Sequence, residues 1–297
     1  MKSINISTSE AIFRWRPAAW LRVSGPDAAA FLQGQFTNDL RGLEGAGAVY
    51  GLWLNVKGKV VADSFVLRGA AAGEFWIGSY FSAGAAIRER LESHIIADDV
   101  AVEDVTAQWA GVTIFGVTSA AVRAGETTGF VFSGRRGREQ AVEWVFPAEK
   151  SEDVFAQFRG LPELDAAEME RRRIDAAIPA IPQDVGPNDL PNEAALEADA
   201  ISYTKGCYLG QEVMARLKSM GQVRRRLLRV RAPAEIAPVP AALFAGEKKV
   251  GDVRSVARDR AGGCIGLAML TLLNLPAAGP LSLAPGAPPA VELLDRP

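Results

Sequence analysis

The chain has 297 residues, 48% hydrophobic and 23% charged, with 33 Lys and Arg against 35 Asp and Glu. Such a chain folds around a large core in two domains or three, and its near-neutral balance excludes a chain-wide attraction to nucleic acid or anionic membrane. Two distant cysteines, Cys207 and Cys264, are too few for a disulfide framework or a spaced zinc site, and they point to a reducing compartment, the cytoplasm.

In chain order, Arg14 and Arg16 arrive before any apolar run with a small-residue cleavage site, so no signal peptide is expected. Ser24-Gly-Pro-Asp27 opens a short helix through Phe31 and Leu32; Pro26 is tolerated in its first turn, and Gly34 ends it beside Gln33 and Gln35. Val49 to Leu54 and Val60 to Leu67 read as strands joined by a hairpin at Val56-Lys57-Gly58, followed by a strand over Glu74 to Ser79. Behind Ser82, the spacing of Ala85, Ile87, Leu91 and Ile95 predicts an amphipathic helix. Strands near Val100 to Val105 and Val112 to Val117 follow. The mixture lacks regular βα alternation, so the fold class is α+β. After about residue 221 come short strands, Val223 to Val230, Leu243 to Phe244, Lys249 to Ser255 and Cys264 to Leu270, which read as a small barrel. The uncharged tail from Ala261 to Val291 is broken by Pro276, Pro280, Pro285, Pro288 and Pro289, so no spanning segment is expected.

Charge is segregated. From Glu152 to Asp199 there are 12 acids and 4 arginines, net −8; from Lys205 to Arg231 there are 8 bases and Glu212 alone, net +7. Two solvated segments that neutralise each other explain this as well as an anion site does. His94 is the only histidine and lies among helical residues, so no histidine triad or multi-histidine metal site can be assembled without it, and a structural role is expected. No phosphate-binding glycine loop occurs.

Cys207 sits between Lys205-Gly206 and a segment with a helical look. An ammonium and a helix start would lower a thiol below its free value of about 8.5, whereas a small buried hydrophobe is the plain alternative. Gly206 and Gly210 favour function, because they let backbone approach a ligand. Cys264, in a barrel strand, reads as packing.

Lys205-Gly-Cys-Tyr-Leu-Gly-Gln-Glu212 resembles the signature of the YgfZ-type folate-binding proteins, relatives of the aminomethyltransferase (T-protein) of the glycine cleavage system. Phe31 to Leu40, Lys57-Gly-Lys59, Arg173 to Pro179, Leu190-Pro-Asn-Glu193, Val250 to Ser255 and Gly266-Leu-Ala268 resemble further family motifs in order, with Ala177 standing where the family usually has glycine. The resemblance implies a T-protein-like cloverleaf around a central channel that holds tetrahydrofolate. Residues 1–221 would form the folate-binding region, two interleaved α+β subdomains, and residues 222–297 the C-terminal β-barrel. On that reading Glu193 accepts the pterin N–H groups, Asn38, Asp39 and Tyr203 add contacts, and Arg216, Arg225 and Arg226 meet the glutamate tail. Cys207 is the working thiol and Lys205 its activator, with no metal ligand among them. The implied role is accessory to assembly or repair of iron–sulfur enzymes, including tRNA-modifying ones, with those proteins or their assembly factors as partners. A folate-dependent transferase is the alternative, and an RNA adaptor using the basic segment is a third.

Overall fold

The computed structural model describes residues 11–43, 47–123, 128–275 and 280–295. Residues 1–10, which carry part of the signal-peptide expectation, and Pro276 lie outside them. Strands β1 (Ala11–Trp15) and β2 (Ala19–Ser24) are followed by helix α1 (Ala28–Gln35), hairpin β3 (Val49–Leu54) and β4 (Val60–Arg68), β5 (Glu74–Ser79), helix α2 (Gly84–Glu92) and β6 (Ala101–Asp104). The last five strands form one antiparallel sheet in the order β3-β4-β5-β2-β6. Leu21, Val23, Trp53, Val66 and Ile77 pack with Phe31 and Leu32 of α1 and with Ile87 and Leu91 of α2. Helix α1 starts at Ala28, later than expected. Gly25, at φ 137, and Pro26 instead form the turn that brings the chain out of β2.

β1 leaves that sheet for another. It pairs with β7 (Trp109–Phe115), Ala11 opposite Phe115, and the sheet is completed by β8 (Phe130–Ser133) and β9 (Ala141–Pro147) in the order β1-β7-β9-β8. Short helices α3 (Ser119–Arg123) and α4 (Ser151–Ala156) cover it through Val122 and Val154. The two sheets meet through Trp20, Phe65, Leu67, Phe132 and Val145, with Trp15, Trp76, Trp109 and Phe130 around them. Two α+β lobes are thus interleaved through their first two strands.

The third lobe follows helix α5 (Ala166–Asp175), an irregular stretch holding α6 (Glu197–Ala200), and helix α7 (Gln211–Met220). Strands β10 (Arg225–Ala232), β11 (Ala241–Ala245), β12 (Lys248–Arg258), β13 (Cys264–Thr271) and β14 (Glu292–Leu293) are ordered β11-β12-β13-β10-β14. Bridges Phe244–Ser282 and Leu281–Val291 link the two edges and close the sheet into a small barrel. Cys264 is buried there, its thiol donating to the Ala234 carbonyl at 3.1 Å, as the packing reading expected. A central cluster of Leu52, Leu54, Val60, Ile174, Ile181, Tyr208, Met214, Leu227 and Leu267 joins the first lobe, the irregular stretch and the barrel.

Ala177 ends α5 in the left-handed region, φ 55. The Ala177 N–H donates to the Ile174 carbonyl and the Ile178 N–H to the Arg173 carbonyl, the paired bonds of a glycine-type helix stop. An exposed alanine there carries Cβ strain without any packing in return. Ala177→Gly is expected to raise stability by about 1 kcal/mol, read as a higher urea midpoint with an unchanged slope.

Candidate functional site

The Lys205–Glu212 stretch runs along the end of α1 and the β3–β4 hairpin. Gly210, at φ 85, caps α7, and a Cβ there would stand 3.0 Å from the Asn55 carbonyl and 3.2 Å from Gly58 Cα. A Cβ on Gly58 would in turn meet Val213 at 2.9 Å. These glycines therefore allow a hairpin and a helix to touch, and Gly210 is not there for a ligand. Cys207 is exposed and lies three residues before the cap, outside the first helical turn where the dipole acts.

Lys205 is only 5% exposed, and its ammonium donates to the carbonyls of Gln33 at 2.6 Å, Phe36 at 2.6 Å and Asn38 at 3.0 Å. Burial pulls it down to about 8, Asp39 opposing and Arg41 assisting, so it stays protonated at neutral pH, the form three carbonyls require. All three N–H bonds are taken by the end of α1, which corrects the activator role: the lysine is directed at backbone and not at the thiol. Asn38 and Asp39 are likewise occupied. Asn38 Nδ2 donates to the Tyr50 and Asp199 carbonyls, while the Asp39 carboxylate accepts from Gln33, the Arg41 backbone and the Arg41 guanidinium. Both side chains are thus engaged within the protein.

Glu193, 4% exposed, and Arg225, which the resemblance gives to a pterin and to a glutamate tail, hold each other. Arg225 Nε and Nη2 donate to the two Glu193 oxygens at 2.9 and 2.8 Å, and the Leu190 N–H adds a bond at 2.7 Å. Arg225 also pairs with Asp189, which takes Arg254 at 2.6 Å. With Arg229 meeting Asp175, the acidic and basic segments partly neutralise each other. Burial opposes the charged form of Asp189, but the Arg254 bond, the Gly186 N–H and the charges of Arg254 and Arg225 outweigh it and hold the carboxyl below its ordinary value. Unfolded aspartate therefore takes up its proton first as pH falls. The stabilisation is complete above about pH 4 and is lost as pH drops through the folded value. The gap in urea midpoint between the native chain and Asp189→Asn should be widest at neutral pH and narrow below pH 4.

Beside this pair, Lys59, Leu190, Glu193 and Arg225 line a cavity of about 530 Å³ that shares Leu217, Gln222, Val223, Arg224 and Thr271 with a larger one of about 1300 Å³. In the larger wall, Asn192, Glu197 and Tyr203 carry buried polar atoms; Asn192 and the Tyr203 hydroxyl interact with each other, and Glu197 Oε2 has no hydrogen-bond partner. Burial raises the Tyr203 phenol, with Asn192 pulling it back and Glu197 adding to the rise, so the three groups act on one another. Lys218, 4.1 Å from the Tyr203 ring centre, Arg224 and Arg226 supply positive charge. Arg216 is exposed on α7 and pairs loosely with Glu212 at 3.7 Å, outside both walls. Cys207 lines neither cavity. Sequence reasoning missed Glu197 and Asn192, whose one available signal was their nearness to Glu193. His94 closes the end of α2 through Arg90 and Ser93. Among the described residues, no cluster of metal-ligating side chains is found, and no helix is long and apolar enough to cross a membrane.

Residues 5–133 match the GCVT N-terminal domain model and residues 224–291 the CAF17 C-terminal beta-barrel domain model. The chain is 30% identical over 245 residues to the tRNA-modifying protein YgfZ of Edwardsiella ictaluri, covering 75% of this chain and 71% of that one. It is also 30% identical over 286 residues to the human mitochondrial iron–sulfur cluster assembly factor IBA57, covering 88% and 77%. Its fold is similar to that of the glycine cleavage aminomethyltransferase T of Bartonella henselae, with a TM-score of 0.77 at 18% identity over 96% of this chain and 84% of that one. The architecture is therefore T-protein-like.

Proposed function

Because the chain belongs to the family that includes YgfZ and IBA57, we propose that it is a folate-binding accessory factor for assembly or repair of iron–sulfur enzymes, tRNA-modifying ones among them. One observation carries the folate half: Asn192, Glu197 and Tyr203, whose polar atoms are buried and under-satisfied, line one cavity whose rim is cationic. Asn192, Glu197 and Tyr203 would accept the N–H groups of a pterin; Lys218, Arg224 and Arg226 would meet the tail carboxylates. When bound, tetrahydrofolate supplies a carrier for one-carbon units. Glu193 and Arg225 bound the adjoining space and keep the wall rigid by closing on each other.

The Cys207 thiol is open to solvent and apart from the cavity, which suits a bond made with a partner rather than with folate. A single cysteine supplies one ligand of a cluster, and a partner protein would supply the others. Iron–sulfur proteins or their assembly factors are the proposed partners, with tRNA a weaker candidate, and the cytoplasm is the proposed compartment. The T-protein-like fold favours a second reading, folate-dependent aminomethyl transfer, which turnover of an aminomethyl donor by purified protein would establish.

The test has two arms. Tetrahydrofolate should raise the melting midpoint of the native chain, and Glu197→Gln should lose most of that shift. In cells lacking the protein, Cys207→Ala should accumulate normally yet fail to restore iron–sulfur enzyme activity. No shift with tetrahydrofolate would remove the folate half, and full restoration by Cys207→Ala the thiol half.

A further inference from the structure

A second, smaller cavity of about 200 Å³ lies where the two interleaved lobes meet α5, lined by Phe13, Phe81, Arg135, Arg136, Ala166, Met169, Glu170 and Arg173. Half of the lining is apolar, and the rest is three arginines and Glu170. Arg173 is committed elsewhere, to Glu170, Asp184, Ser255 and the Ile178 carbonyl.

Arg136 is different. It is 8% exposed and packed against aromatic rings, 3.6 Å from the Tyr80 centre and 4.3 Å from that of Trp15. Its Nε reaches Glu143 at 3.1 Å, but Nη2 is buried with no hydrogen-bond partner. Glu143 is itself shared with the Tyr80 and Thr113 hydroxyls, both at 2.8 Å, so its charge is spread over three donors. Arg135 lies over the Tyr50 ring, 4.8 Å from its centre, and reaches the exposed Asp199 at 3.4 Å. A buried guanidinium edge without an acceptor is costly unless something fills that place. The cavity that Arg136 helps to line is too small for a folate and well sized for a single ring.

We propose that this cavity binds a small monocarboxylate with a flat apolar body, its carboxylate on Arg136 with Arg135 beside it and its body between Phe13, Phe81 and Met169. The planar fork of arginine matches two carboxylate oxygens, and a low-dielectric wall strengthens the bond. This site is separate from the folate cavity, with which it shares no wall residue.

Replacing Arg136 would strand the buried Glu143, so the pocket is tested at its mouth. Ala166 is exposed at the first position of α5, and Ala166→Phe would fill the opening without touching either arginine. Sodium benzoate at millimolar concentration should raise the melting midpoint of the full chain in a saturable way. Benzyl alcohol, with the same ring and no carboxylate, should not. Ala166→Phe should melt as the native chain does and bind benzoate at least tenfold more weakly by calorimetric titration. No benzoate shift, an equal shift with benzyl alcohol, or unchanged benzoate affinity in Ala166→Phe would each overturn the proposal.

Discussion

Lys205→Met should destabilise the protein by about 3–5 kcal/mol and lower its melting midpoint by roughly 10 °C, while leaving the alkylation rate of Cys207 unchanged. Three carbonyls at and just beyond the end of α1 lose their donor, and the 202–207 loop loses its tie to residues 33–38. Such carbonyls have no helical partner, and the negative end of the helix favours a cation. Arginine is a poor substitute. A planar guanidinium cannot direct one atom at three converging oxygens, so Lys205→Arg should recover little. Iodoacetamide kinetics on the folded variant separate the two roles: a large fall in thiol reactivity would restore the lysine as activator, and an unchanged rate supports the anchor.

Arg173→Met should cost about as much, about 3–5 kcal/mol, for another reason. Arg173 is nearly enclosed and bonds Asp184 at 2.6 Å, Ser255 at 3.0 Å, the Ile178 carbonyl at 2.8 Å and Glu170. It therefore ties α5, the irregular stretch and β12 together at one atom group. Without it Asp184, 0% exposed, keeps only the Ser255 hydroxyl and the Ala180 N–H, too little to hold a charge out of water. The double variant Arg173→Met, Asp184→Asn should recover part of the loss in urea denaturation, because it removes the stranded charge. A double variant that loses the full sum of the single losses would rule out the ion pair as the cause.

Legibility in the sequence followed the locality of the interactions. The hairpin strands β3 and β4, β5 and the barrel strands β10, β12 and β13 were readable because turns and apolar runs mark them within a few residues. β1 and β2 were not, since Arg14, Arg16 and Arg22 interrupt the apolar pattern and the partners of β1 lie beyond residue 110. β8 and β9 flank an arginine-rich turn whose Arg136 is buried, a placement that only tertiary stacking creates. The resemblance singled out the segment around Cys207 and Glu193 but carried no information on what its side chains touch. A motif shows that residues matter together; it does not show that Lys205 answers to the end of a helix or that Glu193 answers to Arg225. Beyond its nearness to Glu193, Glu197 carried no signal, because an acid in an alanine-rich acidic run looks like any solvated one until its oxygen is found enclosed.

The crossing of β1 into the second sheet sets a condition on how the chain can be made. Residue 11 leaves the ribosome before residue 115, its opposite, and residue 115 follows the last strand of the first sheet. Until it emerges the apolar strand carrying Ile12 and Phe13 has an open edge, and closing so long a loop is slow. Nascent chains should therefore be protease-sensitive at β1 until β7 emerges, and then become resistant there in a single step.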